Sequence, residues 1–420
     1  MPIAREGSRL RVLLLAQWYE PIIGGEEVQV RTLAHSLARR GHRVTVAALS
    51  HPERPSDYMD GDVHVYRIRA ALQRIPALFA DSARQSAPPF PDPAVSVALR
   101  RIVARERPDV VHAHNWMVNS YLPVRERAVP LILTLHDYSL VCAKKVLLYR
   151  RRECLGPAPA KCLRCAGNHY GPIKGAVTVA GLWAMAPALR RSIDCFITVS
   201  QAVATKNGFG REGVRSVVIP NFLPDDFEAI EDLVPEGLPN EAFLMFAGSL
   251  SSIKGIGPLL SAYVKVDKAQ RPPLLLMGYT GSETLGILRD PPAGVTIITD
   301  QPRSRVAAAW RRSLIALVPS ITPEAFGLTA LEAMAFGRPV IASRIGGLQE
   351  LIADEESGLL VEPGNASALS DAISRLLGDD ELRIQLGRGA QLRSRDFYAD
   401  RVVPRIERLY REVIIAKANQ

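Results

Sequence analysis

Apolar residues fall along this chain in two alternating patterns. Leu10 to Ala16, Val44 to Leu49, Val63 to Ile68, Val110 to Ala113, Leu131 to Leu135, Cys195 to Val199 and Val217 to Ile219 are short, nearly continuous apolar runs. Runs of that length are what strands buried on both faces show. Between the first two, Glu26 to Arg40 places Val28, Leu33 and Leu37 at helical spacing and Gly41 stops the helix, which predicts a β-α-β unit. A second series follows at Phe243 to Ala247, Leu274 to Met277, Val295 to Ile298, Ile315 to Val318, Val340 to Ala342 and Leu359 to Val361. Such alternation predicts parallel sheets with crossover helices. Asn221 to Asn240, rich in Pro and acids, reads as a linker, Ser82 to Pro93 as a proline-rich loop, and Phe397 to Ala416 as a final amphipathic helix. The expected class is therefore α/β. Two such sheets facing each other would set their strand carboxyl ends, where these sheets place ligands, across a common cleft.

Composition narrows the class without changing it. With 420 residues, 47% hydrophobic and 23% charged, the chain is neither disordered nor collagen-like and is long enough for two or three domains. The longest charge-free stretch, Gly175 to Leu189, is shorter than the ~20 residues of a membrane-spanning helix, so no span is expected. The apolar run Val12 to Ala16 suits a strand rather than a secretory leader. The expected location is the cytoplasm, where five cysteines stay reduced. Charge is uneven: residues 1–230 carry +11 and residues 231–420 carry −2. Between 144 and 191 ten basic residues meet the single acid Glu153, which points to an anionic partner such as phosphate, acidic lipid or nucleic acid.

Three motifs carry candidate chemistry. Gly24 and Gly25, after Pro21, Ile22 and Ile23, stand at a strand-to-helix turn, where backbone amides can approach a phosphate. A third spaced glycine is missing there and after Gly255 and Gly257, which counts against a nicotinamide dehydrogenase. Residues 319–339 read PSITPEAFGLTALEAMAFGRP: a strand end, a loop with Glu324, Phe326 and Gly327, and a helix starting near Thr329 that carries Glu332. Amides around Gly327 and Leu328 then lie at a positive helix end, bracketed by two carboxylates able to accept sugar hydroxyls. Taken singly, Glu332 reads as a helix-favouring first-turn acid and Glu324 as a solvated loop residue. Asp60, Gly61 and Asp62 spell a metal-binding DxD but precede a strand and read as a tight turn. Cys142, Cys154, Cys162 and Cys165, ending in CLRC, have spacing that could hold one structural Zn, with free thiols or a redox pair as alternatives. Cys195, in a strand, reads as core.

Taken together, these motifs resemble the GT4-type retaining glycosyltransferases of the GT-B fold, over nearly the whole chain. The matching stretches are PIIGGEEVQVRTLAHSLARRGHRVTV, DVVHAHN at 109–115, LTLHDYS at 133–139, FITVSQAV at 196–203, IPNF at 219–222, FAGSLSSIKGI at 246–256, the Glu324 and Glu332 pair, and GGLQELI followed by GLLVEPGN. The resemblance implies two Rossmann-like domains. Residues 1–225 would bind the acceptor and contain a Cys-rich basic insertion at 140–192, such as a subgroup of relatives carries. Residues 240–395 would bind the nucleotide-diphosphate sugar, and 396–420 would form a helix packing back on the first domain.

Residue roles follow from the resemblance. Glu324 would bind donor-sugar hydroxyls near the reacting carbon, and Glu332 the ribose. Phe326, Gly327 and Leu328 would offer amides to the sugar and diphosphate. Lys254 would neutralise the leaving diphosphate, so that catalysis needs no metal. His136 would sit over the donor sugar, and Gly24 and Gly25 would line the diphosphate. Relatives often have Arg where this chain has Ser249, so half of the usual cationic clamp is absent. The acceptor is a glycan, a lipid-linked molecule or a small molecule. Gly175 to Leu189, with basic ends, reads either as a helix buried against the sheet or as an interfacial helix giving peripheral contact with the inner membrane face. Two other classes remain: a non-catalytic nucleotide-sugar-binding scaffold, motivated by Ser249, and a nucleic-acid binder using the basic Cys-rich segment, disfavoured because that segment lacks interleaved aromatics.

Overall fold

A computed structural model describes residues 8–21, 24–75, 85–150, 152–210, 213–279 and 289–419. Ile22 and Ile23 of the glycine turn, Ser82 to Arg84 of the proline-rich loop and Arg151 of the basic segment lie outside the described residues. The chain divides into two compact units. The first comprises Met1–Leu147, Cys154–Phe222 and Ala399–Gln420, and the second Leu148–Glu153 with Leu223–Tyr398.

The first unit is built on strands β1 (Arg11–Ala16), β2 (Arg43–Leu49), β3 (Asp57–Asp60), β4 (Val63–Ile68), β5 (Val110–His114) and β6 (Leu131–Leu135). A two-stranded hairpin, β7 (Leu148–Tyr149) and β8 (Arg152–Glu153), belongs to the second unit, and β9 (Cys195–Thr198) and β10 (Ser216–Val218) complete the first. The sheet order is β10-β9-β6-β5-β1-β2-β4-β3, parallel throughout except for β3 against β4. Continuous apolar runs such as Leu13, Leu14 and Leu15 are fully buried because helices cover both faces of a parallel sheet. Asp60, Gly61 and Asp62 do form a tight turn, between β3 and β4, with Gly61 at φ +61°. Asp60 accepts there from Tyr19 Oη and Arg31, and lies 2.9 Å from His35 Nε2. The last proline of the loop opens a helix, Pro93–Glu106, capped by Asp92.

The C-terminal helix, Ala399–Ala418, buries Val402, Val403, Ile406, Leu409 and Tyr410 in the core of the first unit. Tyr410 Oη meets His112 Nδ1 at 2.7 Å beneath the sheet, while Glu407 pairs with Arg40 and Arg411. The apolar face of this helix therefore returns residues nearly three hundred positions away to the first sheet.

The second unit has six parallel strands, β11 (Phe243–Ala247), β12 (Leu274–Gly278), β13 (Val295–Thr299), β14 (Ser313–Val318), β15 (Val340–Ser343) and β16 (Gly358–Val361), ordered β13-β12-β11-β14-β15-β16. The order reverses beside β11: β12 and β13 extend on one side, β14 to β16 on the other. That switch point is where an α/β sheet opens a crevice at its strand carboxyl ends.

Helices Pro159–Tyr170 and Pro172–Ser192 form an antiparallel pair whose small core is Ala143, Ala166, Val179 and Leu182. Gly175 is needed at the crossing, since a Cβ there would lie 2.5 Å from the backbone of Ala166 and Gly167. The longer helix is not buried against the sheet on all sides. Ile173, Val177 and Trp183 are exposed at 81%, 49% and 37%. By length and composition alone it could cross a membrane; its 21 residues exceed the charge-free run because Lys174, Arg190 and Arg191 fall inside it.

Candidate functional site

In the second unit, β11 and β14 are neighbours, with Leu244 opposite Ile315. The loops leaving their carboxyl ends are consequently adjacent, and Ile321 N–H donates to Ile253 O at 3.0 Å. This brings together two residues 70 positions apart: Lys254 Nζ lies 2.6 Å from Glu324 Oε1, and Ser320 Oγ donates to the same oxygen at 2.5 Å. Burial pushes the Glu324 carboxyl up, but the Lys254 charge and the hydrogen bonds from Lys254 and Ser320 outweigh it and hold Glu324 below its ordinary value. Burial likewise pulls Lys254 down, and Glu324 more than reverses it. Both stay charged at neutral pH. Their side chains are 31% and 14% exposed, so the pair is partly shielded yet open to a ligand.

Glycines make this meeting sterically feasible. Gly255, at φ +80°, lies so close to Pro319 that a Cβ would sit 1.8 Å from Pro319 O. From the end of β15, Gly346 and Gly347 press on the Glu324 loop, and Gly347 N–H donates to Glu324 O at 2.7 Å. The motif GGLQELI thus fixes the carboxylate from behind. Two helices start here, Ile256–Lys265 after Gly255 and Leu328–Ala335 after Gly327, and neither has a side-chain cap. Uncapped first-turn N–H groups and the helix dipole make such ends attractive to anions. Phe326 contributes backbone only: its ring is buried against Phe397. Ser249, in the loop after β11, accepts from Ser251 N–H through its carbonyl and adds no charge.

Glu332 lies beyond the first turn of its helix, which begins at Leu328 rather than Thr329. Its Oε1 is taken by Arg303, whose Nη2 is 2.9 Å away and whose guanidinium covers the Phe227 ring. Among the described residues Oε2 has no hydrogen-bond partner. The structure therefore holds Glu332 in a fixed orientation by an arginine from another helix, a partner the sequence did not signal.

The first unit presents a separate cluster at the carboxyl ends of β1, β5 and β6. His136 follows β6, with Nε2 2.8 Å from His114 Nδ1. Burial drives His136 down to about 4 against the opposing effect of Asn221, so its ring is neutral at physiological pH. Gly24 is extended, and its lack of a Cβ admits the Glu27 carboxylate, whose Oε2 would be 2.3 Å from one. Gly25 is the first residue of the helix Gly25–Arg39.

Glu26, next in the chain, was given no role by the sequence. Its Oε2 accepts from Asn115 Nδ2 at 2.7 Å and from Gln17 Nε2 at 3.3 Å, and its Oε1 is buried without a hydrogen bond. Burial first, then the Glu27 and Asp137 charges, push its carboxyl up to about 8 against Lys145 and Asn115. Asn115 also reaches Asp137 at 3.4 Å. The signal was present in the motifs, since Glu26 adjoins Gly25 and Asn115 closes DVVHAHN; what was missing was that their ends converge.

The expectation of a zinc held by Cys142, Cys154, Cys162 and Cys165 finds no support. No disulfide forms, and among the described residues no three His, Cys, Asp or Glu side chains are grouped to hold a metal ion. Cys162 and Cys165 lie one turn apart on a helix, with the Cys162 sulfur accepting from Ala158 N–H and the Cys154 thiol directed to Gly156 O.

Comparison with known proteins agrees with the geometry. Residues 24–221 match the family model described as a glycosyl transferase 4-like domain, and residues 231–393 the one described as glycosyl transferases group 1. A curated relative, the D-inositol 3-phosphate glycosyltransferase of Acidothermus cellulolyticus, is 28% identical over 93% of this chain and 86% of its own. Among solved structures, sucrose-phosphate synthase from Thermosynechococcus elongatus aligns with a TM-score of 0.74 at 22% identity, covering 96% of this chain and 99% of that one. Anabaena HepE in complex with UDP and glucose gives 0.63 at 19%, covering 96% and 99%. A GT4-like domain followed by a group 1 domain, each on its own parallel sheet, places the chain among the glycosyltransferases of the GT-B fold.

Proposed function

We propose that the protein transfers a glycosyl group from a nucleotide-diphosphate sugar to an acceptor hydroxyl, with retention of configuration and without a catalytic metal. Residues 240–395 bind the donor and 1–225 the acceptor. The observation that carries this reading is the Lys254, Glu324 and Ser320 set beside uncapped helix starts at Gly255 and Gly327. As the glycosidic bond breaks, negative charge gathers on the departing diphosphate and positive charge on the sugar. Lys254 and the first-turn amides at Leu328 face the former, in the role a divalent cation plays elsewhere. Glu324 receives sugar hydroxyls and faces the latter, Glu332 Oε2 takes a ribose hydroxyl, and His136, neutral, offers a hydrogen bond to the sugar rather than a charge. Retention rests on the family resemblance. The Anabaena neighbour is a complex with UDP and glucose, which makes uridine diphosphate sugars the first donors to test.

In a thermal-shift panel of nucleotides and nucleotide sugars, one nucleoside diphosphate at a hundred times its Kd should stabilise the protein by ~2.7 kcal/mol. Adding EDTA should not change the shift. No response to any nucleoside diphosphate overturns the donor assignment, and a response with no hydrolysis or transfer on any acceptor favours the scaffold.

A second reading concerns the helix Pro172–Ser192. Its outer stripe, Ile173, Val177 and Trp183, is apolar and exposed, with Lys174 and Arg191 at its ends, which suits an anionic membrane surface. Phosphatidylglycerol-containing vesicles should sediment the protein and shift Trp183 emission to the blue, whereas phosphatidylcholine alone should not. Equal sedimentation of an I173D/V177D variant refutes this reading.

A further inference from the structure

One oxygen of Glu332 is engaged and the other is not. The engaged one faces Arg303, the first residue of the helix Arg303–Arg312. Arg303 Nε donates to Glu332 Oε1 at 3.1 Å, and Nη2, buried and with no other hydrogen-bond partner, lies 2.9 Å from the same oxygen. Both side chains are largely buried. Among the described residues Oε2 has no hydrogen bond, and it is not sealed from solvent.

Arg303 stands where its own helix disfavours it. A cation in the first turn opposes the helix dipole, and this turn holds Arg303 and Arg305 with no acid. Residues that break a local rule are expected where a site requires them. Support comes from the far side of the guanidinium, which lies 4.7 Å from the ring centre of Phe227. Phe227 packs on Phe336 with centroids 5.3 Å apart, and the Arg311 guanidinium lies 4.8 Å from the Phe336 ring centre. Phe227 is fully buried and belongs to the segment Asn221 to Asn240 that the sequence presents as a linker. That segment is fastened to the second unit: Arg311 donates to the carbonyls of Glu228 and Ile230, and Tyr398 Oη donates to Glu228 Oε1 at 2.7 Å. The linker is thus the floor on which Arg303 is stacked. A planar guanidinium held in this way is not interchangeable with an ammonium.

We propose that Arg303, stacked on Phe227, is a positioning residue for nucleotide recognition: it pins Glu332 Oε1 so that Oε2 meets a ribose hydroxyl. It also compensates the Glu332 charge, which would otherwise repel a diphosphate bound one turn away at Leu328. The proposal rests on Glu332 being the ribose ligand. Its consequence is that discrimination between ribose and deoxyribose depends on a residue that does not touch the nucleotide.

Calorimetric titration of the full chain with UDP, ADP and GDP, and with the 2′,3′-dideoxy form of each, tests it. The parent should bind the ribose form of one nucleotide roughly ten- to a hundredfold tighter than its dideoxy form, as a hydrogen bond to a charged group implies. Arg303→Met should bring that ratio to about one, and Arg303→Lys, which keeps the charge but not the fork, to an intermediate value. A Met variant with the parental ratio overturns the proposal. So does one that weakens both forms equally, which is what a residue supporting only the fold would do. Should Arg303→Met not fold, Arg303→Lys decides, since a parental ratio there has the same meaning. Failure of the underlying reading looks different: a parent without preference for ribose removes Glu332 from the ribose, and binding of none of the three nucleotides removes the donor assignment, each taking the proposal with it.

Discussion

Glu324→Gln is expected to lower the transfer rate about a thousandfold while the protein remains folded. Glutamine fills the same space, so the loop held by Gly346 and Gly347 has no reason to move. The change is electrical. One oxygen of Glu324 accepts from both Lys254 and Ser320, and an amide cannot present an anionic acceptor to an ammonium 2.6 Å away. Lys254 then loses the partner that raises it, and the sugar loses the only proposed negative charge facing its reacting carbon. Removal of one preorganised electrostatic contact typically costs a factor of 10² to 10³. Lys254→Ala should cost about as much, because it strips the diphosphate of its side-chain cation and leaves Glu324 half-buried without compensation. Residues that act as a unit are not additive, so the double variant should be scarcely slower than either single one. The measurements are kcat with saturating donor and the melting temperature of each variant. Full turnover by Glu324→Gln at an unchanged melting temperature would remove Glu324 from the reaction.

The elements of this fold were legible wherever one residue pattern decided them. Leu131–Leu135 is a buried strand because a short apolar run of that kind suits a sheet covered on both faces. Asp57–Asp60 was not legible: DYMD has no apolar face, and it becomes a strand only because β4 offers it an edge. Pairings across long separations were hidden for the same reason. Lys254 and Glu324 meet through the adjacency of β11 and β14, and Arg303 meets Glu332 through two helices; neither adjacency leaves a trace in local sequence. The basic segment was the least legible part. Spacing of Cys162 and Cys165 suits a zinc knuckle, and equally one turn of the helix on which both stand, so spacing alone does not decide between them. Apolar residues nearly all round Pro172–Ser192 favoured burial, yet periodicity cannot say which apolar face receives a partner. The charge surplus divides accordingly. Part lies on that helical pair, and the rest is scattered over the surface of the first unit.

Glu26 gives the second large effect, read through stability rather than rate. Its carboxyl sits at the start of the helix Gly25–Arg39, an end that favours negative charge, yet burial and the neighbouring Glu27 and Asp137 raise it to about 8 from 4.5. A folded state that holds a proton more tightly than the unfolded chain is stabilised below the unfolded value and loses that contribution as pH rises through the folded one. Glu26 therefore stabilises the protein fully below about pH 4.5 and progressively less up to and beyond pH 8. The whole shift would correspond to almost 5 kcal/mol at ~1.4 kcal/mol per unit, and solvent screening at this partly exposed residue reduces it to about 2 kcal/mol. Glu26→Gln imitates the protonated form at every pH. Its melting temperature should match the parent near pH 5 and exceed it by roughly 4–8 °C near pH 9, for a unit of this size. Burial lowers His136 to about 4, so it adds a rise in stability as pH climbs towards 6.5, but that contribution is the same in parent and variant and cancels in their difference. Melting curves of parent and variant that stay parallel from pH 5 to 9 would show that Glu26 ionises normally, and that the buried Oε1 is satisfied by a carboxylate after all.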